Sequence, residues 1–216
     1  RALFAFGTET DTLDRAGRVT KCGGRVPAAD EVAAALASFV GEYDQLPPAY
    51  SAKNVNGVRA YDLARQGKEV ALAPKRVRVD SLELLGEEGE GVFAVRIVCG
   101  GGTYIRSLAR DVAAACGTCG YMAALVRERS GPYALAESIP PDALTKENWR
   151  GFLLPPDAVL DLPRLEFADA AAARLKNGVP VPCETADGAY KLYLDGAFYG
   201  VAQAADGRVR AKTKLV

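Results

Sequence analysis

Tyr50-Ser51-Ala52-Lys53-Asn54-Val55-Asn56-Gly57-Val58-Arg59-Ala60-Tyr61 interleaves aromatic rings with Lys and Arg. Such rings stack on unpaired bases while the cations hold phosphates. The same pattern also suits a solvated loop with its tyrosines packed beneath. Gly101-Gly102-Thr103-Tyr104-Ile105-Arg106-Ser107-Leu108-Ala109-Arg110-Asp111 reads as a strand end, a glycine turn and a helix start. That junction exposes backbone N–H groups able to hold an anion. No phosphate-loop Lys-Ser/Thr follows, so a nucleotide site has weak support. Arg106 is either a functional cation on a loop after a strand or a surface arginine of a tight connection. Arg127-Glu128-Arg129 and Lys75-Arg76-Val77-Arg78 are further basic clusters. In Arg208-Val209-Arg210-Ala211-Lys212-Thr213-Lys214, alternation places four cations on one strand face, and a polyanion is their natural partner.

Histidine is absent. That excludes Ser-His-Asp and Cys-His nucleophile pairs and His-based metal sites. Acid–base work must fall to carboxylates, Tyr, Lys or Cys. Asp11 and Asp14 lie in a polar turn, where they serve either as an acid/base pair or as local hydrogen-bond formers, the commoner role of turn aspartates. Cys116 and Cys119 form C-x-x-C, half a zinc site or a redox pair in form. No second such pair exists, and two small residues at a helix end are the simpler reading. Five cysteines at irregular spacing do not make a secreted disulfide framework, so the reducing cytoplasm is the expected location.

The elements that must position these groups follow from periodicity. Ala2 to Phe6 reads as a strand and Thr8 to Asp14 as a turn-rich segment. A helix opens at Pro27-Ala28-Ala29-Asp30-Glu31, with Val32, Leu36, Phe39 and Val40 on its buried face. Pro47-Pro48 and Asn56-Gly57 mark a turning loop, and Ala60 to Gln66 a short helix stopped by Gly67. Strands run from Arg76 to Leu85 and from Val92 to Cys99, and a helix from Tyr104 to Cys116. After the prolines at 140–141 and 155–156 come an Ala-rich helix, Ala168 to Leu175, and three strands. Those strands, Lys191–Leu194, Phe198–Gln203 and Arg208–Lys212, are separated by Asp-Gly hairpin signals.

The chain has 216 residues, 49% hydrophobic and 25% charged, which excludes a disordered chain. Its 27 cationic and 27 anionic side chains cancel, so any attraction for a polyanion must be local. No apolar run reaches the roughly 18–20 residues of a membrane span. We expect an α+β protein, with a mixed, mostly antiparallel sheet and flanking helices, then a small β-rich domain. The expected divisions are 1–139, a connecting segment 140–162, and 163–216.

At these residues the chain resembles the TruB family of tRNA pseudouridine synthases. The resemblance rests on Phe6-Gly7-Thr8-Glu9-Thr10-Asp11-Thr12-Leu13-Asp14 and Gln45-Leu46-Pro47-Pro48-Ala49-Tyr50-Ser51-Ala52. It continues through Asn56-Gly57, Arg59-Ala60-Tyr61, Ala64-Arg65-Gln66-Gly67, the Gly102–Asp111 block and Leu125 to Tyr133. The blocks stand in family order over residues 1 to about 139. Leu175-Lys176-Asn177-Gly178 and Gly200-Val201-Ala202-Gln203 look like the PUA-type RNA-binding domain that often follows.

The resemblance implies an isomerase that converts the T-loop uridine of tRNA (position 55) to pseudouridine. It implies no cofactor and no metal, with the T-arm stem-loop as partner, no membrane, and a monomer when full length. Arg106 matches the arginine that pairs with a nucleophilic aspartate, Tyr104 the tyrosine beside it, and Leu125 the apolar residue that packs on uracil. The Gly-Thr-Leu-Asp-Pro block that carries the nucleophile has no counterpart here, so that aspartate is expected upstream and the role is not given to Asp14. Arg106 is then expected to be the partner of a missing carboxylate. RNA contacts are expected from Tyr50, Ser51, Lys53, Arg59, Arg65, Arg127, Arg129, Arg208, Arg210 and Lys212. The alternative readings are a non-catalytic tRNA-binding remnant and an RNA-binding module built on the C-terminal domain.

Overall fold

A computed structural model of the chain describes residues 1–51, 54–55, 58–59 and 72–215. It divides into two compact units, Arg1–Ser130 and Gly131–Val216, a division that falls ahead of residue 139. Among the described residues no helix is long and apolar enough to cross a membrane.

The first unit begins with β1 (Ala2–Phe6), β2 (Glu9–Thr10), β3 (Val19–Lys21), α1 (Ala29–Ala37) and β4 (Gly41–Gln45). Then come the short strands β5 (Asn54–Val55) and β6 (Val58–Arg59), which pair with each other. The unit continues with β7 (Lys75–Gly89), β8 (Val92–Cys99), α2 (Ile105–Ala115), β9 (Gly120–Leu125) and β10 (Arg129–Ser130). Its main sheet runs β4-β7-β8-β1-β9, antiparallel at every pairing. β1 is covered on both faces, with Ala2, Phe4, Ala5 and Phe6 buried, which is why its sequence is apolar without interruption rather than alternating. Phe4 faces Phe93 across the β1–β8 register, and both are 1% exposed.

α2 supplies Leu108, Ala109, Val112 and Ala113 to the same core, where they meet Val32 and Leu36 of α1. Gly120 lets it approach. A Cβ there would lie 2.7 Å from the Ala113 Cβ and 2.8 Å from the Ala5 carbonyl oxygen. Arg25 ties the two helices together. Its guanidinium forks onto Glu31 at 2.8 and 2.9 Å and donates to the Cys116 carbonyl, at the end of α2, at 2.5 Å. Cys116 is accordingly a core residue at a helix end, and burial pushes its thiol pKa up.

Two expectations need correction here. Val40 lies beyond the end of α1 and is 48% exposed, because the chain breaks at Ser38 and turns through Gly41 at φ +109°. Gly41–Gln45 and Val19–Lys21, not expected to be strands, are strands. The helix expected over 60–66 lies outside the described residues.

The second unit contains β11 (Tyr133–Ala134), three short 3₁₀ turns, β12 (Arg164–Phe167), α3 (Asp169–Lys176), β13 (Val181–Pro182), β14 (Gly188–Leu194), β15 (Ala197–Ala205) and β16 (Arg208–Lys214). Its sheet runs β12-β14-β15-β16-β13, with only the β12–β14 pair parallel. Leu175 of α3 packs with Leu192, Leu194, Ala202, Ala204 and Val209. The α+β architecture, mostly antiparallel with a small β-rich C-terminal unit, is the one expected.

Candidate active site

The site grows from the junction of β8 and α2. Gly100 ends the strand with its N–H on the Arg78 carbonyl at 2.8 Å. Gly102, at φ +87°, turns the chain, a conformation suited to glycine. Tyr104 then caps the helix with extended backbone and no side-chain cap bond. Gln45, 1% exposed, anchors that cap residue from the end of β4. Its Oε1 accepts the Tyr104 N–H at 2.8 Å, and its Nε2 donates to the Tyr104 carbonyl at 3.1 Å. The side-chain amide therefore replaces a strand partner. Nε2 also donates to the Tyr43 hydroxyl at 2.5 Å, and burial pushes the Tyr43 pKa up to about 12.

The segment after Gln45 lies along the first turns of α2 through a series of bonds. Ser107 Oγ and Arg110 Nη2 both donate to the Leu46 carbonyl, at 2.8 and 3.0 Å. Arg110 also pairs with Asp111 at 2.7 Å. Four residues further on, the Tyr50 carbonyl accepts from Arg106 Nη2 at 2.8 Å.

Arg106 lies where three segments meet. Its Nη1 donates to the Thr12 carbonyl at 2.9 Å and to Asp14 Oδ2 at 3.0 Å. The two side chains of this ion pair are 23% and 24% exposed. A guanidinium has five N–H donors, and among the described residues these three bonds leave two of them for a second anion. The chain itself thus supplies one aspartate to Arg106, beside the upstream carboxylate that the resemblance implies.

Asp14 also keeps its turn. Its Oδ1 accepts the Thr12 hydroxyl at 2.7 Å and the Ala16 N–H at 3.0 Å. Leu13, at φ +59° and 9% exposed, lets that turn close onto β9, where its carbonyl accepts the Met122 N–H at 3.1 Å. Asp11 performs the local role alone, accepting the Arg18 N–H at 2.9 Å.

Leu125 ends β9 opposite Ala2, three residues past Met122, with 46% of its surface open. Ser51 is buried and Tyr50 half-buried. Arg127 and Arg129 are exposed on the stretch after β9. Lys53, Arg65 and the side chain of Arg59 lie outside the described residues. Arg208, Arg210 and Lys212 are exposed on β16 of the second unit. The single face of four cations expected there is interrupted. A register shift between Val201 and Ala202 pairs them with Thr213 and Ala211, leaving Lys212 unmatched. Beyond the bulge, Lys214 Nζ lies 5.8 Å from the centre of the Tyr199 ring. Among the described residues, no three Cys, Asp or Glu side chains gather as a metal site would require.

Residues 1–105 match the model of the TruB family pseudouridylate synthase N-terminal domain. A protein of Acaryochloris marina called tRNA pseudouridine synthase B is 37% identical over all of this chain and 76% of its own length. The chain belongs to the TruB family. Proteins of the same name from Caulobacter vibrioides and Paracoccus denitrificans are 39% and 42% identical over 82% of the chain. The chain spans only 59% and 60% of those two TruB relatives. Among solved structures, one from a Cbf5-Nop10-Gar1 complex superposes with a TM-score of 0.62, over 94% of this chain and 58% of that one. At 22% identity that likeness establishes the fold.

Gln45 was not singled out from the sequence as a site residue. Its one signal was position, directly before Leu-Pro-Pro, and nothing in that signal distinguishes a buried amide from a surface one.

Proposed function

We propose that this chain carries the arginine half of a site that isomerises the T-loop uridine of tRNA to pseudouridine. The observation behind the reading is Arg106, a partly buried guanidinium held by Asp14, Thr12 and Tyr50 with two donors to spare. The relatives' shared name, tRNA pseudouridine synthase B, supplies the reaction and the RNA.

The residues divide the work as follows. Asp14 neutralises Arg106 and fixes its plane, so the remaining donors point consistently. A second carboxylate, the nucleophile that the family resemblance implies, takes those donors and is kept ionised by them. Leu125, open at the end of β9, offers an apolar surface for the uracil ring, and the resemblance gives Tyr104 the place beside the arginine. The target base reaches such a site by leaving its stack. Arg127, Arg129, Arg208, Arg210 and Lys212 serve the phosphate backbone, a role that fixes position rather than sequence. No step calls for a metal or an organic cofactor.

The test is a T-arm stem-loop RNA titrated with the chain, followed by chemical mapping of pseudouridine. Preference for the T-arm over a scrambled RNA of equal length is the expected result. Bound RNA without product places the nucleophile outside residues 1–216, as a tRNA-binding remnant would. Product assigns it to Asp11 or Asp14. Equal binding of both RNAs refutes the T-arm reading.

A further inference from the structure

Ser51 Oγ is the one buried side-chain oxygen or nitrogen that has no hydrogen-bond partner among the described residues. The residue is 5% exposed, and its backbone N–H is already taken by the Ala49 carbonyl at 3.0 Å. A buried hydroxyl left unpaired carries the full desolvation cost of the group, and alanine would fill the same space without that cost. Unsatisfied polar groups of this kind call for an explanation, and a functional role is one of few available.

Its place in the fold supplies one. Ser51 directly follows Tyr50, whose carbonyl oxygen lies 2.8 Å from Arg106 Nη2. Standard bond lengths then hold Ser51 Oγ within about 8 Å of that nitrogen, whatever its rotamer. The orphan hydroxyl therefore belongs to the surroundings of the guanidinium. We propose that Ser51 Oγ hydrogen-bonds the polar edge of the uracil turned into this site, a proposal that rests on the reading of the chain as a tRNA uridine isomerase. A hydroxyl donates and accepts at once, and uracil presents an imide N–H between two carbonyls. The buried location selects the base over the rest of the nucleotide. A phosphate loses far more on leaving water than a neutral pyrimidine does, and the base is the part that a flipping enzyme draws inward.

Two T-arm stem-loops test this, one with uridine at the target position and one abasic there. Each is titrated by fluorescence anisotropy against the full chain and against Ser51→Ala, and both proteins are melted. The wild-type chain should prefer the uridine RNA. Ser51→Ala should lose about three- to tenfold of that preference, the worth of one hydrogen bond. Its affinity for the abasic RNA should stay the same. Its melting temperature should hold steady or rise by a few degrees, since the variant removes an unpaired group. An unchanged preference, or a fall in melting temperature, overturns the proposal, because the hydroxyl would then be idle or already satisfied within the protein. Wild-type chain binding the two RNAs equally overturns it as well. Absence of T-arm binding by the wild-type chain is a separate result that removes the tRNA reading itself.

Discussion

Replacing Gln45 with leucine should loosen the start of α2 and the site it carries. The amide makes three bonds, two to the Tyr104 backbone and one to the Tyr43 hydroxyl, from a position 1% exposed. Its orientation is fixed by chemistry, since a flipped amide would set donor against donor and acceptor against acceptor. Leucine removes all three bonds and strands two groups, the Tyr104 N–H and the Tyr43 hydroxyl, since the Tyr104 carbonyl keeps the Leu108 N–H at 3.0 Å. Each stranded group costs about 1–3 kcal/mol when buried, and nearer 0.5–1.5 where water can replace the partner. Tyr43 and Tyr104 are both half-buried, so a total loss of about 2 kcal/mol is the reasonable figure. Against a domain stability of about 5–15 kcal/mol, the unit should still fold. Urea melts followed by circular dichroism would read the loss, and amide exchange at Tyr104 would locate it. Gln45→Glu keeps the shape and the acceptor but sets a carboxylate oxygen against the Tyr104 carbonyl, so it should lose at least as much. A loss below about 1 kcal/mol with Tyr104 still protected would refute the claim that this amide anchors the start of the helix.

Asp14→Asn turns one acceptor into a donor amid donors, so it should cost about 1–3 kcal/mol and lower T-arm RNA modification or binding, read by melting and anisotropy together. Arg25 first, and then the Ala28 N–H, hold the Glu31 pKa at about 2, below the ordinary 4.5. A depressed carboxylate contributes stability above its unfolded pKa and loses it in acid, so melting temperature should fall between pH 4.5 and about 2, with a shallower fall in Glu31→Gln. Gly120→Ala drives a Cβ into the Ala5 carbonyl and Ala113, so it should cost about 1–3 kcal/mol and displace α2, lowering both thermal stability and RNA binding. Removing Arg208, Arg210 and Lys212 together should reduce the slope of log affinity against log salt by about 2–3, while target-base preference is kept; an unchanged slope would take β16 out of the RNA contact.

The two units differ in how much of them is readable. Asp195-Gly196 and Asp206-Gly207 announced hairpins, and all four residues have positive φ, from +52° to +81°. Such turns are local, made of residues adjacent in the chain, and so they leave a clear signature. The helices α1 and α2 were equally legible because their apolar positions recur at helical spacing. β4 left no such trace. Its sequence, Gly41-Glu42-Tyr43-Asp44-Gln45, is polar, and it is a strand because β7 offers it a hydrogen-bonding edge from Gly41↔Val79 to Gln45↔Lys75. The bulge at Lys212 was invisible for the same reason. It is a property of the β15–β16 pairing, and strict alternation in β16 alone gave no warning of it.

The family motifs, the periodic helices, the hairpin turns and the interest of Arg106 were all legible along the chain. Each of these is written in neighbouring residues. Folding in three dimensions was needed to show that Asp14, a turn residue by every local criterion, meets Arg106 across 92 positions of chain. It alone decided that Gln45 bonds the start of a helix 59 residues away, and that the hydroxyl of Ser51 is buried with no partner among the described residues. Hydrogen-bond partners and burial depend on which surfaces the core brings together. A polar side chain carries no local mark of whether it will face water, a backbone amide or a substrate.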